Sequence, residues 1–195
     1  TIVWVGSTGG LARRVGTQWS GVAAGERGLP PDDVTSMTEA RTANGHTSVW
    51  VGTSDGIRAA TSPDGPFEPI VSECEALPHA RVNALLSKSA PTGGNVVWVA
   101  TEGQGLFRCE GLCCVGAPYN RVGLASSNVR SLLDGGAESG ASVVWAGTYE
   151  GLARVTDGQW TSFTPATSGI APGAIMSLLE TRGADGGRAY WFGLW

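Results

Sequence analysis

The stretch VVWAGTYEGLAR, residues 143–154, decides the fold. It runs through a dense apolar segment, turns at glycine, and returns to apolar residues. Near-copies stand at IVWVGSTGGLAR (2–13), SVWVGTSDGIRA (48–59) and VVWVATEGQGLFR (96–108), and AYWFGLW (189–195) begins another. The anchoring tryptophans are Trp4, Trp50, Trp98, Trp145 and Trp191, spaced 46, 48, 47 and 46 residues apart. A second anchor is an apolar pair: Val34/Met37, Val82/Leu85, Val129/Leu132 and Ile175/Leu178. From its first member to the following tryptophan the distance is 16 residues each time, while the rest of the unit varies from 30 to 32. An invariant hairpin followed by adjustable loops gives that pattern, and such a period marks one supersecondary unit repeated.

Each unit reads as four strands. The first is VTSM, VNALL, VRSLL or IMSLL, and the second carries the tryptophan. A tight turn ends at Gly10, Gly56, Gly105 or Gly151, where a hairpin needs the positive φ that glycine adopts without steric cost. The third strand starts at Leu11, Ile57, Leu106 or Leu152, and the fourth lies at Trp19, Phe67, Cys113 or Trp160. The runs are short, rich in Val, Trp and Leu, and bounded by turn residues, so strand outcompetes helix. Two residues after each tryptophan comes Gly6, Gly52, Ala100, Gly147 or Gly193. So small a residue inside a strand predicts close approach of a neighbouring backbone or ring, with the facing tryptophan as the expected neighbour.

About 47 residues and four antiparallel strands per unit is the arithmetic of a β-propeller blade. Inner strands such as SVVWAG are apolar on both sides, as blades covered on both faces require. A β-solenoid has shorter coils. The expected fold is therefore all-β, a propeller domain or segment over 1–195 with four repeats and a partial fifth. Because the sequence opens at a second strand and stops just after one, it reads as a slice of a larger propeller, or as half of a ring completed by another copy. A self-closed ring of four or five blades is the alternative.

Composition narrows the function. Hydrophobic residues make up 42% of the chain and charged residues 15%, against roughly 25% charged in ordinary soluble domains. The net charge is −4 with no Lys/Arg run, which argues against nucleic acid and against an anionic membrane surface. No stretch approaches the roughly 18 apolar residues of a membrane helix, so the chain is not expected to be membrane-embedded.

The run VRSLL…VVWAGTYEGLARVTDGQWTSFTP resembles the two-component-regulator propeller repeat, which forms the sensor propellers of bacterial hybrid histidine kinases and related signalling proteins. The turn in RGLPPDDV (27–34), and more loosely SGIAPGAI (168–175), matches it too. The blade around 57–80 is the poorest copy, lacking both the Leu-x-Arg and the final tryptophan. The resemblance covers essentially the whole chain. It implies a periplasmic or extracellular input domain of a membrane-anchored sensor, in a family some of whose members respond to carbohydrates.

Catalytic motifs are weak. GTSDG (52–56) matches the G-x-S-x-G nucleophile elbow, which needs a strand–turn–helix. Here the turn leads into another strand, and the other copies place Thr8, Glu102 and Tyr149 where this one has Ser54. SPDGPF (62–67) is a shortened Asp-box turn, a structural feature. A glycoside hydrolase needs two carboxylates about 5–10 Å apart, whereas Glu26, Asp32, Asp33, Asp55, Glu102, Asp134, Glu138 and Glu150 are scattered over several loops. His46 and His79, the only histidines, lack ligand partners at metal-binding spacing and read as surface residues. No catalytic residue, metal or cofactor is expected.

The cysteines are Cys74, Cys109, Cys113 and Cys114. Cys109 can bridge Cys113 or Cys114 across a hairpin, leaving Cys74 for another. An even count in a chain resembling periplasmic sensors favours disulfides; a zinc site and free thiols are the other readings.

Binding residues concentrate on loops held by a rigid scaffold. In a propeller the fourth-to-first and second-to-third connections share one face. On these lie Arg81, Asn128 and Arg130 beside the first strands, and Asp55, Glu102, Tyr149 and Glu150 on the short turns. Tyr149 offers stacking and a hydroxyl, and Arg130 a fork for a carboxylate. The reading is a non-catalytic sensor segment binding a small molecule or carbohydrate. A scaffold self-associating through open blade ends, or continuing into a longer chain, is the second reading, and a propeller hydrolase or lyase the third.

Overall fold

Short runs of Val, Trp and Leu punctuated by glycine turns fold as strands throughout the computed structural model. It describes residues 2–31, 33–42, 44–62, 64–71, 74, 77, 79–91, 93–116, 123–138, 141–184 and 186–195, with Glu138 by its backbone only. The strands form sheets joined in sequence order, every mapped pairing antiparallel. The chain divides into two compact units, Thr1–Val99 with Arg108–Val115, and Ala100–Phe107 with Gly116–Trp195.

The first unit holds the three-stranded sheet β1 (Ile2–Ser7), β2 (Gly10–Val15) and β3 (Gln18–Ala23). A four-stranded sheet follows: β4 (Val34–Arg41), β5 (Thr47–Thr53), β6 (Gly56–Ala60) and β7 (Glu68–Pro69). The next is β8 (Val82–Ser89), β9 (Asn95–Thr101), β10 (Leu106–Glu110) and β11 (Cys113–Val115), of which the β9–β10 turn counts with the second unit. The second unit holds β12 (Val129–Glu138), β13 (Ala141–Thr148), β14 (Gly151–Thr156) and β15 (Gln159–Phe163). It ends with the pair β16 (Ile175–Arg182) and β17 (Arg188–Leu194). The first and third strands thus begin at or within one residue of the positions the repeat assigns, and each second strand carries its tryptophan. The fourth strand of the poorest copy shrinks to Glu68–Pro69, and Phe67 beside it is buried instead.

The continuous apolar runs are continuously buried, from Val49 to Thr53 in β5, Val96 to Thr101 in β9 and Val143 to Thr148 in β13. In the first unit Leu11, Val22, Leu29, Val34, Val49, Val51, Ala60 and Phe67 form one core cluster, flanked by Trp4 and Met37. In the second, Val143, Trp145, Leu152 and Ile175 form another. The Trp145 indole lies 5.2 Å from the Tyr190 ring and 6.3 Å from Phe192, both on β17 of the next sheet. Burial of such apolar surface contributes about 25 cal/mol per Å².

The small residue after each tryptophan has a different neighbour from the one expected. A methyl group at Gly6 would stand 2.7 Å from Val34 Cγ1, at Gly52 2.6 Å from Val82 Cγ1, and at Gly147 2.7 Å from Ile175 Cγ2. At Gly52 and Gly147 a serine hydroxyl of the paired first strand is closer still, Ser36 Oγ (2.5 Å) and Ser131 Oγ, so the close partners are that serine and the β-branched residue that opens the next first strand, not the tryptophan. Both sequence anchors are two sides of one contact between adjacent sheets. The glycines that face a tryptophan are instead Gly123, whose Cβ would run into Trp160 Cβ, and Gly135, whose Cβ would lie 2.7 Å from Val143 Cγ1 and 3.0 Å from Trp145 Nε1.

The tryptophan pairs with arginine. Trp4 stands opposite Arg13 and Trp145 opposite Arg154, with guanidinium-to-ring distances of 5.7 and 5.8 Å. This explains the Leu-x-Arg signature, since a cation over an indole face is attracted by the ring quadrupole. In β5–β6 the residue opposite Trp50 is Ala59, and the signature is absent.

Candidate functional site

The second-to-third-strand turns are built by one recurring device. The hydroxyl ending the second strand donates to the carbonyl of the turn glycine: Ser7 to Gly10 (3.3 Å), Thr53 to Gly56 (3.0 Å), Thr101 to Gly105 (2.7 Å) and Thr148 to Gly151 (2.8 Å). The same oxygen accepts the backbone N–H two residues on, from Gly9 (3.2 Å), Asp55 (3.1 Å) or Glu150 (3.3 Å). Thr53, Thr101 and Thr148 are buried. Self-contained hydroxyl–backbone bonding of this kind stabilises a turn locally. The hydroxyl bonds brace these turns at their ends, and Asp55, Glu102 and Tyr149, which lie between hydroxyl and glycine, direct their side chains to other contacts. GTSDG is one of these turns, joining strand β5 to strand β6, so Ser54 sits on no nucleophile elbow.

In the second unit these turns bring three candidates together. Arg130, second residue of β12, donates from Nη2 to Tyr149 Oη (2.6 Å) and to Glu102 Oε1 (3.3 Å). Its guanidinium lies 4.8 Å from the Tyr149 ring centroid. The Arg130 side chain is mostly covered, while Glu102 and Tyr149 are open to solvent. Asn128 acts through its backbone, its carbonyl accepting the Tyr149 N–H (3.1 Å), and its Oδ1 is buried without a partner among the described residues. Glu150 sits on the same turn, its N–H spent on Thr148.

The first unit carries the other two candidates, and they do not meet. Asp55 Oδ1 lies 2.9 Å from His79 Nδ1, and Arg81 faces Asp33 at 3.9 Å. These exposed pairs contribute little to stability. Sequence reading left His79 and Asp33 out of the candidate set. The available signal was register: Asp33, Arg81 and Asn128 each immediately precede a first-strand anchor. Of the scattered acids, Glu26 accepts the Ala23 N–H and Asp134 that of Gly136, so both serve turns. Asp32 and the Glu138 side chain lie outside the described residues.

The cysteines pair as Cys74–Cys113 and Cys109–Cys114. Cys109 and Cys114 stand directly opposite each other on the β10–β11 hairpin. Cys74–Cys113 ties the loop before β8 to the same hairpin. Among the described residues no three His, Cys, Asp or Glu side chains converge as a metal site. The Arg130–Tyr149–Glu102 cluster offers a donor, an acceptor and a flat aromatic face, the elements of polar small-molecule recognition on a rigid frame.

Four-stranded antiparallel sheets in sequence order, repeating about every 47 residues with polar clusters on the strand-end turns, define a β-propeller segment. Solved structures agree. The chain is similar to the extracellular domain designated as part of a hybrid two-component system, BT3049 from B. thetaiotaomicron, with a TM-score of 0.71 and 19% identity over 99% of this chain. It is likewise similar to the BT4673 extracellular domain of the same organism, designated a one-component system in one structure and a hybrid two-component system in another. There the TM-scores are 0.67 and 0.64, each at 22% identity over 99% of this chain. The chain spans 25% of the length of each of those chains. No family model matches it, and no curated protein matches it. The resemblance read from the repeat and the structural likeness point to the same kind of propeller.

Proposed function

We propose that this chain is a non-catalytic, ligand-sensing segment of an extracytoplasmic signalling propeller. The observation that carries the reading is the fold likeness, over 99% of the chain, to extracellular domains designated as parts of one- and two-component systems. Two disulfides fit an oxidising compartment. No helix among the described residues is long and apolar enough to cross a membrane. The ligand contacts are Arg130, Tyr149 and Glu102, with Asn128 and Glu150 framing them and Asp55 and Arg81 marking the corresponding turns of the first unit. The ligand class is a polar small molecule or a carbohydrate. The test is a thermal-shift panel of oligosaccharides and polar metabolites. The expected result is a ligand that stabilises the wild-type chain and whose effect falls in Arg130→Ala and Tyr149→Ala. A hit indifferent to both substitutions, or no hit at all, refutes the reading.

A second reading is a scaffold assembling through sheet faces. Val3, Val5 and Trp19 share one face of β1–β3 and are exposed, as are Leu179 and Trp191 on β16–β17. Their counterparts Val49, Val51 and Trp50 are buried. Sedimentation decides: concentration-dependent association supports this reading, and a stable monomer rejects it.

A further inference from the structure

The opposite strand ends of the first unit carry a second feature, separate from the turns above. Where β4 ends and β9 begins, an open cavity of about 300 Å³ is lined by Arg41, Ser48, Trp50, Asn95, Val97 and Cys109. Its floor is apolar: Trp50, Val97 and Cys109 are buried, and Cys109 is locked to Cys114. The Trp50 indole N–H is satisfied by Ser48 Oγ (3.0 Å), and that hydroxyl donates to the Ala40 carbonyl (3.2 Å). The floor therefore asks for no polar partner.

The rim differs. Asn95 Oδ1 accepts the Arg41 backbone N–H (2.9 Å), which points its amide nitrogen the other way. Neither that nitrogen nor the Arg41 guanidinium meets an acceptor among the described residues. One acid, Glu110, also lines the cavity, and it is engaged by Arg108 at 3.1 Å. Two donors without acceptors thus stand over an apolar floor.

The second unit shows what the same position looks like when filled. Arg188 stands three residues before Trp191, as Asn95 stands three before Trp98, and Gly136 follows Val129 by seven residues, as Arg41 follows Val34. There Arg188 Nη1 donates to the Gly135 carbonyl, Nη2 reaches the Ala137 carbonyl (3.5 Å), and Tyr190 Oη adds a third bond (3.3 Å). The guanidinium is taken up by these backbone carbonyls and by Glu180, 3.7 Å from its Nε. In the first unit the shorter Asn95 leaves the space open, and the arginine has moved to the facing strand.

We infer that this cavity binds a small organic acid, its carboxylate on Arg41 and Asn95 and its apolar body over Trp50, Val97 and Cys109. Charge-assisted bonds to a guanidinium are the strong ones, and a cavity of this size suits a ligand at the small end of the usual range. The inference is independent of the Arg130 cluster.

Phenylacetate is the probe, titrated into the intact chain by saturation-transfer NMR. Phenylacetamide keeps the body without the charge, and acetate keeps the charge without the body. The expected result is saturable phenylacetate binding, with phenylacetamide weaker by about tenfold or more, the worth of one charge-assisted hydrogen bond, and acetate weaker by at least as much through loss of the buried ring. Arg41→Gln lowers phenylacetate to the level of the amide, and Arg41→Lys retains part of the binding. Absence of saturable phenylacetate binding overturns the proposal. So does equal binding of acid and amide, a comparison made on the wild-type chain alone, or binding unchanged in Arg41→Gln.

Discussion

Removing the Cys74–Cys113 bond while keeping Cys109–Cys114 is the sharpest test of how the first unit is held. The two disulfides close loops of very different length, with sequence separations of 39 and 5. A cross-link stabilises chiefly by restricting the unfolded chain, and the entropy it removes grows with the logarithm of the loop. On that relation the longer bond contributes about 4 kcal/mol and the shorter about 2 kcal/mol at 25 °C. Cys74→Ser with Cys113→Ser should therefore cost about 4 kcal/mol, a fall in Tm of roughly 8–16 °C for a chain of this size. Cys109 and Cys114 are buried, so the matching control replaces both with valine, which preserves volume and strand preference. That variant should lose about 2 kcal/mol, leaving a difference of roughly 2 kcal/mol set by loop length. Urea unfolding followed by tryptophan fluorescence measures both, with non-reducing mass spectrometry to verify the surviving bond. A loss below about 1 kcal/mol for the Cys74/Cys113 variant, or a larger loss for the hairpin variant, refutes the loop-closure reasoning.

Other substitutions test the remaining contacts. Gly52→Ala drives a methyl into Val82 at 2.6 Å and should destabilise by about 1–3 kcal/mol in urea unfolding. Gly193→Ala meets only the movable Ser177 side chain within 3.7 Å and should cost distinctly less. Thr148→Val leaves the Gly151 carbonyl and Glu150 N–H without their hydroxyl partner and should cost about 1–3 kcal/mol by thermal or urea denaturation. A double-mutant cycle between Arg130→Ala and Tyr149→Ala should return a coupling of about 0.5–1 kcal/mol, since the pair is partly solvated. A coupling near zero would mean that the two side chains do not hold each other.

Strand order and turn positions were legible because they rest on local chemistry: apolar runs on both faces, a glycine at each positive-φ turn, and a recurring tryptophan. The identity of the close neighbour at Gly52 was not, because Trp50 and Val82 are both apolar anchors, of successive units, and spacing alone does not say which faces the glycine. The hydroxyl clamp was written in plain view as Ser7, Thr53, Thr101 and Thr148, yet threonine is also a favoured strand residue, which hid its second role. Among the candidate ligand residues, Arg130, Glu102 and Tyr149 converge, while Asp55 and Arg81 take separate partners. Which cation reaches which acid depends on side-chain reach across neighbouring turns. The cysteine pairing was open for a related reason: Cys113 and Cys114 are adjacent, and only strand register places Cys114 opposite Cys109.

The hydroxyl-to-glycine brace also separates what keeps each tip folded from what it shows to the outside. Residues 8–9, 54–55, 102, 104 and 149–150 sit inside that bracket and can be exchanged with little effect on the strands beneath, whereas Gly103, at φ +76°, belongs to the turn itself. Such tips behave as interchangeable cassettes. Randomising them together is a direct way to vary the surface these tips present on an unchanged framework, as the repeats of this chain already do.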